Sequence, residues 1–237
     1  MSAGSPALRD AATYFLDTGG KRFRPLLTLL ACEAVGGTAS VALDLACAVE
    51  FLHASSLIFD DLPCMDNADE RRGAPTLHRR YGEAVAVLTA IYFLNKAYEL
   101  ALNSSGGDTW AAQAINRCIG EHGMVEGQLL DLAGRHGDRA VRGMKTGSLI
   151  RMCVEIGARA GRASDGESRA LVRYAQRLGQ AFQMRDDVLD GEADSACLRA
   201  ASALAGRAAE IVRRALRPSL ASSALSALAF YAVDRPG

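Results

Sequence analysis

The chain has 237 residues, of which 49% are hydrophobic and 23% are charged, so we expect a folded protein with a substantial core. The 27 basic residues balance the 27 acidic ones, and a net charge of zero argues against nucleic acid as the main partner. The start of the sequence lacks the basic and apolar segments of a signal peptide, and we expect the apolar stretches to be too short and too interrupted to span a bilayer. The sequence therefore predicts a cytoplasmic protein.

The periodicity of the apolar residues predicts helices along almost the whole chain. Alanine and leucine are abundant, β-branched runs are scarce, and glycine-rich segments separate the periodic stretches. We find no alternating strand pattern with a two-residue turn, no internal repeat and no linker. We expect one all-α domain over residues 1–237, in which other helices enclose the most apolar ones. In chain order, the predicted helices are 7–17, 24–35, 40–62, 83–103, 108–132, 146–161, 165–190, 196–216 and 219–233.

An acidic segment, FDDLPCMDNADERRG at 59–73, follows the third predicted helix. Its clustered carboxylates repel one another unless a cation or solvent separates them, and a solvated loop would explain them as well as a metal site. Asp60 and Asp61 lie at the end of the helix, and Pro63 interrupts helical pairing just beyond them. Asp66 must return to them through a local bend, because six residues of ideal helix would point it elsewhere.

A second acidic segment, FQMRDDVLD, lies in the seventh predicted helix. Spacings of three and four residues put Gln183, Asp186, Asp187 and Asp190 on one helix face. Like charges at this spacing destabilise a helix, so a bound cation explains the pattern better than a structural role does. Carboxylate oxygens favour Mg²⁺ over a transition metal. The two segments predict a divided metal site that holds a diphosphate between two acidic walls.

Basic residues accompany both acidic segments. Each of them alone is most simply a solvated surface charge. Taken together with metal ions, they are the groups that two diphosphates require. They are Lys21, Arg22 and Arg24 in GGKRFRP, Arg71 and Arg72 after the first acidic segment, and Lys145 and Thr146 in MKTGSL.

These motifs resemble those of the trans-isoprenyl diphosphate synthases of the polyprenyl synthetase family. The similarity covers most of 19–190 in the family's order: GGKRFRP, FLHASSLIFDDLPCMDNADERRGAPTLHRRYGEAVAVL, EGQLLDL, KTGSLIRM and AFQMRDDVLD. It implies an isoprenoid-synthase helical bundle around a central cavity, usually in a homodimer. It also implies an enzyme that joins isopentenyl diphosphate to an allylic diphosphate with about three Mg²⁺ ions per site.

The resemblance implies roles for individual residues. The implied Mg²⁺ ligands are Asp60, Asp61, Asp66, Asp186 and Asp190, and the implied catalytic residues are Asp60, Asp61, Asp66, Asp186, Asp187 and Lys145. The implied contacts to the allylic substrate are Arg71, Lys145, Thr146 and Gln183. The implied contacts to isopentenyl diphosphate are Lys21, Arg24, His53 and Arg72, and the implied cavity-wall residues are Gln128 and Asp131. His53 is assigned to binding because the departing diphosphate can itself accept the proton.

The residues below the first acidic segment bear on product length. Ser55 and Ser56 stand where family members with short products carry a bulky aromatic residue, whereas Tyr92 and Phe93 add bulk deeper in the cavity. We therefore expect a product of twenty carbons, geranylgeranyl diphosphate. A farnesyl diphosphate synthase, a class I terpene cyclase and a non-catalytic regulatory subunit remain as alternatives. The regulatory alternative stays open because no lysine follows Asp190, where family members usually carry several.

Overall fold

The structure, a computed structural model, describes residues 5–104, 106–134, 141, 143–189, 191 and 193–234. It confirms the all-α class. The α-helices are α1 (Pro6–Asp17), α2 (Phe23–Ala34), α3 (Ala39–Asp60), α4 (Leu77–Tyr81), α5 (Glu83–Ser104), α6 (Trp110–Ile119), α7 (Met124–Leu132), α8 (Ser148–Ala160), α9 (Asp165–Leu189), α10 (Ser195–Ala215) and α11 (Leu220–Asp234). A π-helical turn, Gly143–Gly147, leads directly into α8, and two short strands, β1 (Glu70–Arg71) and β2 (Ala74–Pro75), lie between α3 and α4.

Side-chain caps define where several helices begin. Ser164 and Glu167 form a capping box at α9, in which the Glu167 amide donates to Ser164 Oγ (3.3 Å) and the Ser164 amide donates to Glu167 Oε2 (2.8 Å). The carboxylate of Asp194 accepts from the amides of Ala196 and Cys197 at the start of α10. Each cap gives a partner to amides that the helix itself leaves unpaired.

The predicted helix 108–132 is wrong, because the chain forms two helices there, α6 and α7. The break lies between Gly120 and Gly123. A side chain at Gly123 would place its Cβ 2.0 Å from the carbonyl oxygen of Cys118, so only glycine allows this sharp a turn.

The hairpin β1–β2 and the short helix α4 are absent from the predicted elements. The strands pair antiparallel, with Arg71 opposite Ala74, and a two-residue turn joins them. The turn residues Arg72 and Gly73 have φ angles of 57° and 75°, and two positive values are what a type I′ turn requires. The sequence shows no alternating pattern here because strands of two residues are too short to produce one.

The core has two parts, and α3 contributes to both. The larger cluster joins α2, α3, α5, α6, α8, α9, α10 and α11, and the smaller one joins α1, α3, α4 and α5. Within the smaller cluster Phe93 is fully buried, stacks on Phe51 with ring centroids 5.4 Å apart and touches Phe15 at 6.2 Å. The packing of both clusters fixes α3, whose last residue is Asp60.

Two helices, α3 and α5, are long and apolar enough to cross a membrane by length and composition. Each has 22 residues, and the mean hydropathy over an 18-residue stretch is 1.6 in α3 and 1.3 in α5. The expectation that every apolar stretch is too short was therefore wrong. The two helices pack against each other, and α3 also packs against α2, so passing this test is weak evidence for a membrane span.

Candidate active site

The loop after α3 brings Asp66 back to Asp60. The amide of Asp66 donates to the carbonyl oxygen of Asp60 (2.9 Å), and the amides of Met65 and Asn67 both donate to the carbonyl oxygen of Leu62 (2.9 and 3.0 Å). Asn67 adopts a positive φ of 49°, which lets the chain reverse. The bend predicted from the sequence is confirmed.

The carboxyl group of Asp60 lies in a setting that disfavours its charge. The pKa of Asp60 is raised from 3.8 to about 6. Burial is the main cause, Asp66 and Asp61 add to it, and Lys145 and Arg71 oppose it. A nearby cation would favour the charged form. The site therefore has the electrostatic character of a cation-binding carboxylate.

Asp61 is paired with Arg71. Nε of Arg71 donates to both carboxylate oxygens (2.7 and 2.9 Å), and Nη2 lies 2.6 Å from Oδ1. Asp61 is only 2% exposed, so the arginine compensates for the burial of its charge. Burial opposes the charge on Arg71, but Asp61 outweighs it and leaves the pKa of Arg71 raised. The roles predicted for Asp61 as a metal ligand and for Arg71 as a substrate contact stay predictions.

A basic pocket surrounds His53. Nη1 of Arg24 lies 3.1 Å from Nε2 of His53. Burial lowers the pKa of His53 well below its usual value, and Arg24, Arg72, Arg71 and Arg22 lower it further. The ring is therefore neutral near pH 7, and Nε2 accepts the hydrogen bond from Arg24. Excess positive charge of this kind suits a diphosphate that binds without metal.

The structure gives Arg22 a role that the sequence did not reveal. Arg22 forms an ion pair with Glu50, and its Nη2 donates to the carbonyl oxygen of Leu16 (2.6 Å). Arg22 thus ties the loop before α2 to α1 and α3. Glu50 could have been noticed as a charged residue in an apolar helix, one turn before His53. Arg72 is held in the same region by a hydrogen bond from Nη1 to the carbonyl oxygen of Gly19.

The second acidic wall lies on α9. Asp186 and Asp187 are half-buried there, and Nε2 of Gln183 donates to Oδ1 of Asp187 (3.0 Å). Gln183 and Asp187 therefore share a helix face, as their spacing predicts. Asp190 lies outside the described residues, so its predicted role as a metal ligand is not tested.

The π-helical turn presents Lys145 and Thr146 just before the start of α8. Lys145 forms an ion pair with Asp131 of α7, and it is close enough to Asp60 to lower the pKa of that carboxyl group. Such turns often occur at functional sites. The packing is close at Gly127, where an added Cβ would lie 2.9 Å from Cγ of Lys145 and 2.9 Å from Cβ of Met144.

Gln128 connects α7 to the first acidic segment. Its Nε2 lies 3.9 Å from the sulfur of Met65, a weak contact, while its Oε1 is buried without a hydrogen-bond partner among the residues that the structure describes. The predicted role of Gln128 in the cavity wall stays a prediction.

No three His, Cys, Asp or Glu side chains converge tightly enough to hold one metal ion within the described part of the chain. Each acidic wall would need oxygens from the diphosphate and from water to complete a shell, which is how Mg²⁺ is commonly held. The donors on both walls are carboxylates, and this donor set fits Mg²⁺.

A cavity of about 1280 Å³ lies behind the second acidic wall. Gln183 and Asp187 are among its lining residues, and the others belong to α6 and the loop after it, the π-helical turn, α8, α9 and α10. Asp60 is not among its lining residues, so this cavity is not the space between the two walls.

Comparison with known proteins agrees with this arrangement. Residues 5–200 match the family model described as polyprenyl synthetase. The heterodimeric geranylgeranyl pyrophosphate synthase large subunit 2 of Arabidopsis thaliana is 41% identical over 80% of this chain and 54% of its own length. The chloroplastic geranylgeranyl pyrophosphate synthase of Capsicum annuum is 43% identical over 77% of this chain and 53% of its own. The chain thus spans just over half the length of these curated relatives.

Solved structures share the fold over nearly the whole chain. An FPP/GFPP synthase from Zymomonas mobilis has a TM-score of 0.85 at 32% identity and covers 96% of this chain and 88% of its own. A geranyltransferase from Legionella pneumophila has a TM-score of 0.90 at 30% identity and covers 99% and 90%. Since sequence, fold and the order of the acidic and basic motifs all agree, the chain belongs to the polyprenyl synthetase family.

Proposed function

We propose that the protein is a Mg²⁺-dependent prenyltransferase that condenses isopentenyl diphosphate with an allylic diphosphate. The observation that carries this proposal is the presence of two clusters of opposite charge, one of which would bind a diphosphate through Mg²⁺ and the other directly. One combines the Asp60–Asp66 pair with Lys145, and the other is the basic pocket around His53. A terpene cyclase needs only the first, whereas a condensing enzyme needs both.

Both acidic walls would hold Mg²⁺, each from a different helix. Asp60 and Asp66 would hold Mg²⁺ from the end of α3, and Asp186 would hold it from α9, with Asp61 and Asp190 as further predicted ligands. Bound Mg²⁺ supplies the positive charge that stabilises the departing diphosphate. Arg71, Lys145, Thr146 and Gln183 would orient the allylic substrate.

The basic pocket would hold isopentenyl diphosphate through Lys21, Arg24, His53 and Arg72. The neutral ring of His53 accepts a hydrogen bond from Arg24 and so restrains the guanidinium group that would contact the diphosphate. The apolar interior would protect the allylic cation from water. The departing diphosphate would accept the proton, so the site needs no side-chain base.

Geranylgeranyl diphosphate is the product we propose. Several relatives carry the name geranylgeranyl pyrophosphate synthase. The serine hydroxyl groups at Ser55 and Ser56 leave more room below Asp60 than an aromatic ring would. The proposed partner is a second copy of the chain, which the exposed apolar face of α5 supports. The cytoplasmic location stays a prediction.

Product analysis tests the activity. Purified protein is incubated with Mg²⁺, isopentenyl diphosphate and, in turn, dimethylallyl, geranyl and farnesyl diphosphate, and the products are separated by chain length. We expect geranylgeranyl diphosphate from all three, and an Asp186→Asn variant should lose activity by orders of magnitude while staying folded.

Each other outcome would assign a different function to the protein. Farnesyl diphosphate as the end product would make it a farnesyl diphosphate synthase, and a cyclic hydrocarbon would make it a cyclase. No product from any substrate pair would favour the regulatory subunit, an alternative that the absence of lysine after Asp190 keeps open.

A further inference from the structure

The hydroxyl group of Thr76 joins a buried histidine to the acidic loop. Oγ1 of Thr76 donates to the carbonyl oxygen of Ala68 (2.8 Å) and lies 3.1 Å from Nδ1 of His78. A longer contact of 3.4 Å reaches the carbonyl oxygen of Asp69. Thr76 is 3% exposed and His78 is 7% exposed, so water does not compete freely for these bonds.

The direction of the hydrogen bonds follows from the single hydrogen on the threonine hydroxyl. A carbonyl oxygen can only accept, so the hydroxyl hydrogen points to Ala68. Thr76 must then accept from His78, and this assigns the ring hydrogen to Nδ1. In the neutral ring Nε2 carries only a lone pair, and it is buried without a partner among the described residues. His78 thus offers one useful group, the Nδ1–H donor.

We call the hydrogen bonds from His78 through Thr76 to Ala68 the relay. Both ends of the relay are attached to fixed parts of the molecule. His78 lies in α4, whose neighbouring residue Leu77 is 2% exposed in the cluster shared with α3 and α5. At the other end, Ala68 lies two residues after Asp66. The amide of Thr76 also donates to the carbonyl oxygen of Asp69 (3.0 Å), which closes the open end of the hairpin.

The relay therefore acts where the acidic loop becomes the hairpin. The hairpin carries Arg71, which forms an ion pair with Asp61, and it carries Arg72 at its turn. An ion pair between Arg79 and Asp69 (2.6 Å) spans the same point, but both side chains are well exposed, so it contributes little. The buried hydrogen bonds are the stronger restraint.

We propose that His78 and Thr76 are positioning residues of the first acidic segment. The chain of bonds from His78 through Thr76 to Ala68 holds the loop that places Asp66 beside Asp60 and Arg71 against Asp61. The consequence for metal binding rests on the proposed function of Asp66 as a Mg²⁺ ligand. The structural part of the proposal does not.

Hydrogen exchange of the metal-free protein tests the relay directly. His78→Phe keeps a planar aromatic ring without a hydrogen-bond donor, and Thr76→Val keeps the side-chain shape without the hydroxyl. In both variants the amides of Asp66 and Asn67 should exchange about three- to tenfold faster, which is the loss expected for one buried hydrogen bond. His78→Asn places an N–H near the position of Nδ1 and Thr76→Ser keeps the hydroxyl, so both should exchange like the wild type.

Thr89→Val is the matched control, because Thr89 is also fully buried and its hydroxyl donates to a backbone carbonyl, that of Val85 (2.7 Å). It removes the same group away from the loop and should leave Asp66 and Asn67 unchanged. Amides of α8 serve as an internal standard that separates local opening from loss of overall stability. Unchanged exchange in both His78→Phe and Thr76→Val, or equal effects of His78→Asn and His78→Phe, would overturn the proposal.

Enzyme assays then test the functional consequence. His78→Phe should raise the Mg²⁺ concentration for half-maximal activity several-fold while kcat at saturating Mg²⁺ stays close to that of the wild type, and His78→Asn should restore the wild-type value. Equal Mg²⁺ dependence in all variants would limit the relay to a structural role and contradict its link to Asp66. If the wild type forms no product, the proposed function fails, and the exchange experiment still decides the relay.

Discussion

Asp60 shows, at the scale of single residues, how a binding site can work against the stability of its own fold. Its carboxyl group is largely buried at the end of α3 and lies beside the carboxyl groups of Asp61 and Asp66. Arg71 offsets the charge of Asp61 through hydrogen bonds to both carboxylate oxygens. Among the described residues, Lys145 and Arg71 favour the charge of Asp60, but burial outweighs them and the pKa stays raised. Unfavourable charge of this kind is common at functional sites, because a ligand compensates for it.

This imbalance predicts a pH-dependent gain in stability when the charge is removed. The pKa of Asp60 is about 6 in the folded protein, against an ordinary value of 3.8 for the unfolded chain, so the free energy of unfolding falls as the pH rises from about 4 through about 6. Two pKa units set an upper limit of about 3 kcal/mol. Metal-free Asp60→Asn should therefore melt several degrees above the wild type at pH 8 and at the same temperature near pH 3.5.

Calorimetry in the presence of a chelator measures both proteins across this range. Asp10→Asn, which alters an exposed carboxylate on α1, is the control and should shift the melting temperature by less than about one degree. A gain for Asp60→Asn that is the same at both pH values would mean that the gain comes from packing and not from charge.

The helix pair α3–α5 determines, at the scale of elements, how much space lies below Asp60. Ser56 is one turn before Asp60 on the same helix face, is half-buried, and donates from its hydroxyl to the carbonyl oxygen of His53 (2.9 Å). Ser55 is 2% exposed, so it has almost no room to grow. The two serines, which the sequence presents as equivalent, therefore differ in their surroundings.

Substitution by phenylalanine should separate them. Ser56→Phe should shorten the main product from geranylgeranyl to farnesyl diphosphate with little loss of stability, because its side chain can extend into the space below the metal site. Ser55→Phe overfills a packed interface and should lower the free energy of unfolding by about 1–3 kcal/mol. Product chromatography and chemical denaturation measure the two effects. An unchanged twenty-carbon product from Ser56→Phe would show that Ser56 does not face the growing chain.

The sequence could predict some parts of the fold and of the site, but not others. Helix periodicity located α3 and α9 to within two residues, and the return of Asp66 followed from the spacing of the aspartates and Pro63. The ion pair between Arg71 and Asp61 could not be predicted from the sequence. The hairpin that brings the two residues together is closed by backbone hydrogen bonds and by the side chain of Thr76, and these do not appear in the sequence pattern. The break between α6 and α7 depends on a close backbone approach at Gly123, which no pattern of apolar residues records.

At the scale of the whole molecule, α5 has more apolar surface than the monomer covers. Its inner face is lined with fully buried alanines and Phe93 and packs against α3. Only 33% of an 18-residue apolar stretch of α5 is buried. On the outer side of the helix, Leu88, Ile91 and Leu102 are 61%, 49% and 45% exposed. An apolar helix face of this length usually contacts another protein surface. A second copy of the chain is the partner that we propose.

Charges placed on this face should separate the two copies. The wild type should elute with twice the chain mass of 25.1 kDa in size-exclusion chromatography with light scattering. The double variant Leu88→Glu/Ile91→Glu should elute at the mass of one chain, because burying two unpaired carboxylates costs more than the apolar contact gains. Leu220→Glu, which changes a leucine that is 93% exposed at the start of α11, is the matched control and should remain a dimer. A wild type with the mass of one chain would refute the dimer, and co-sedimentation of that monomer with neutral lipid vesicles would identify the face of α5 as a lipid contact instead.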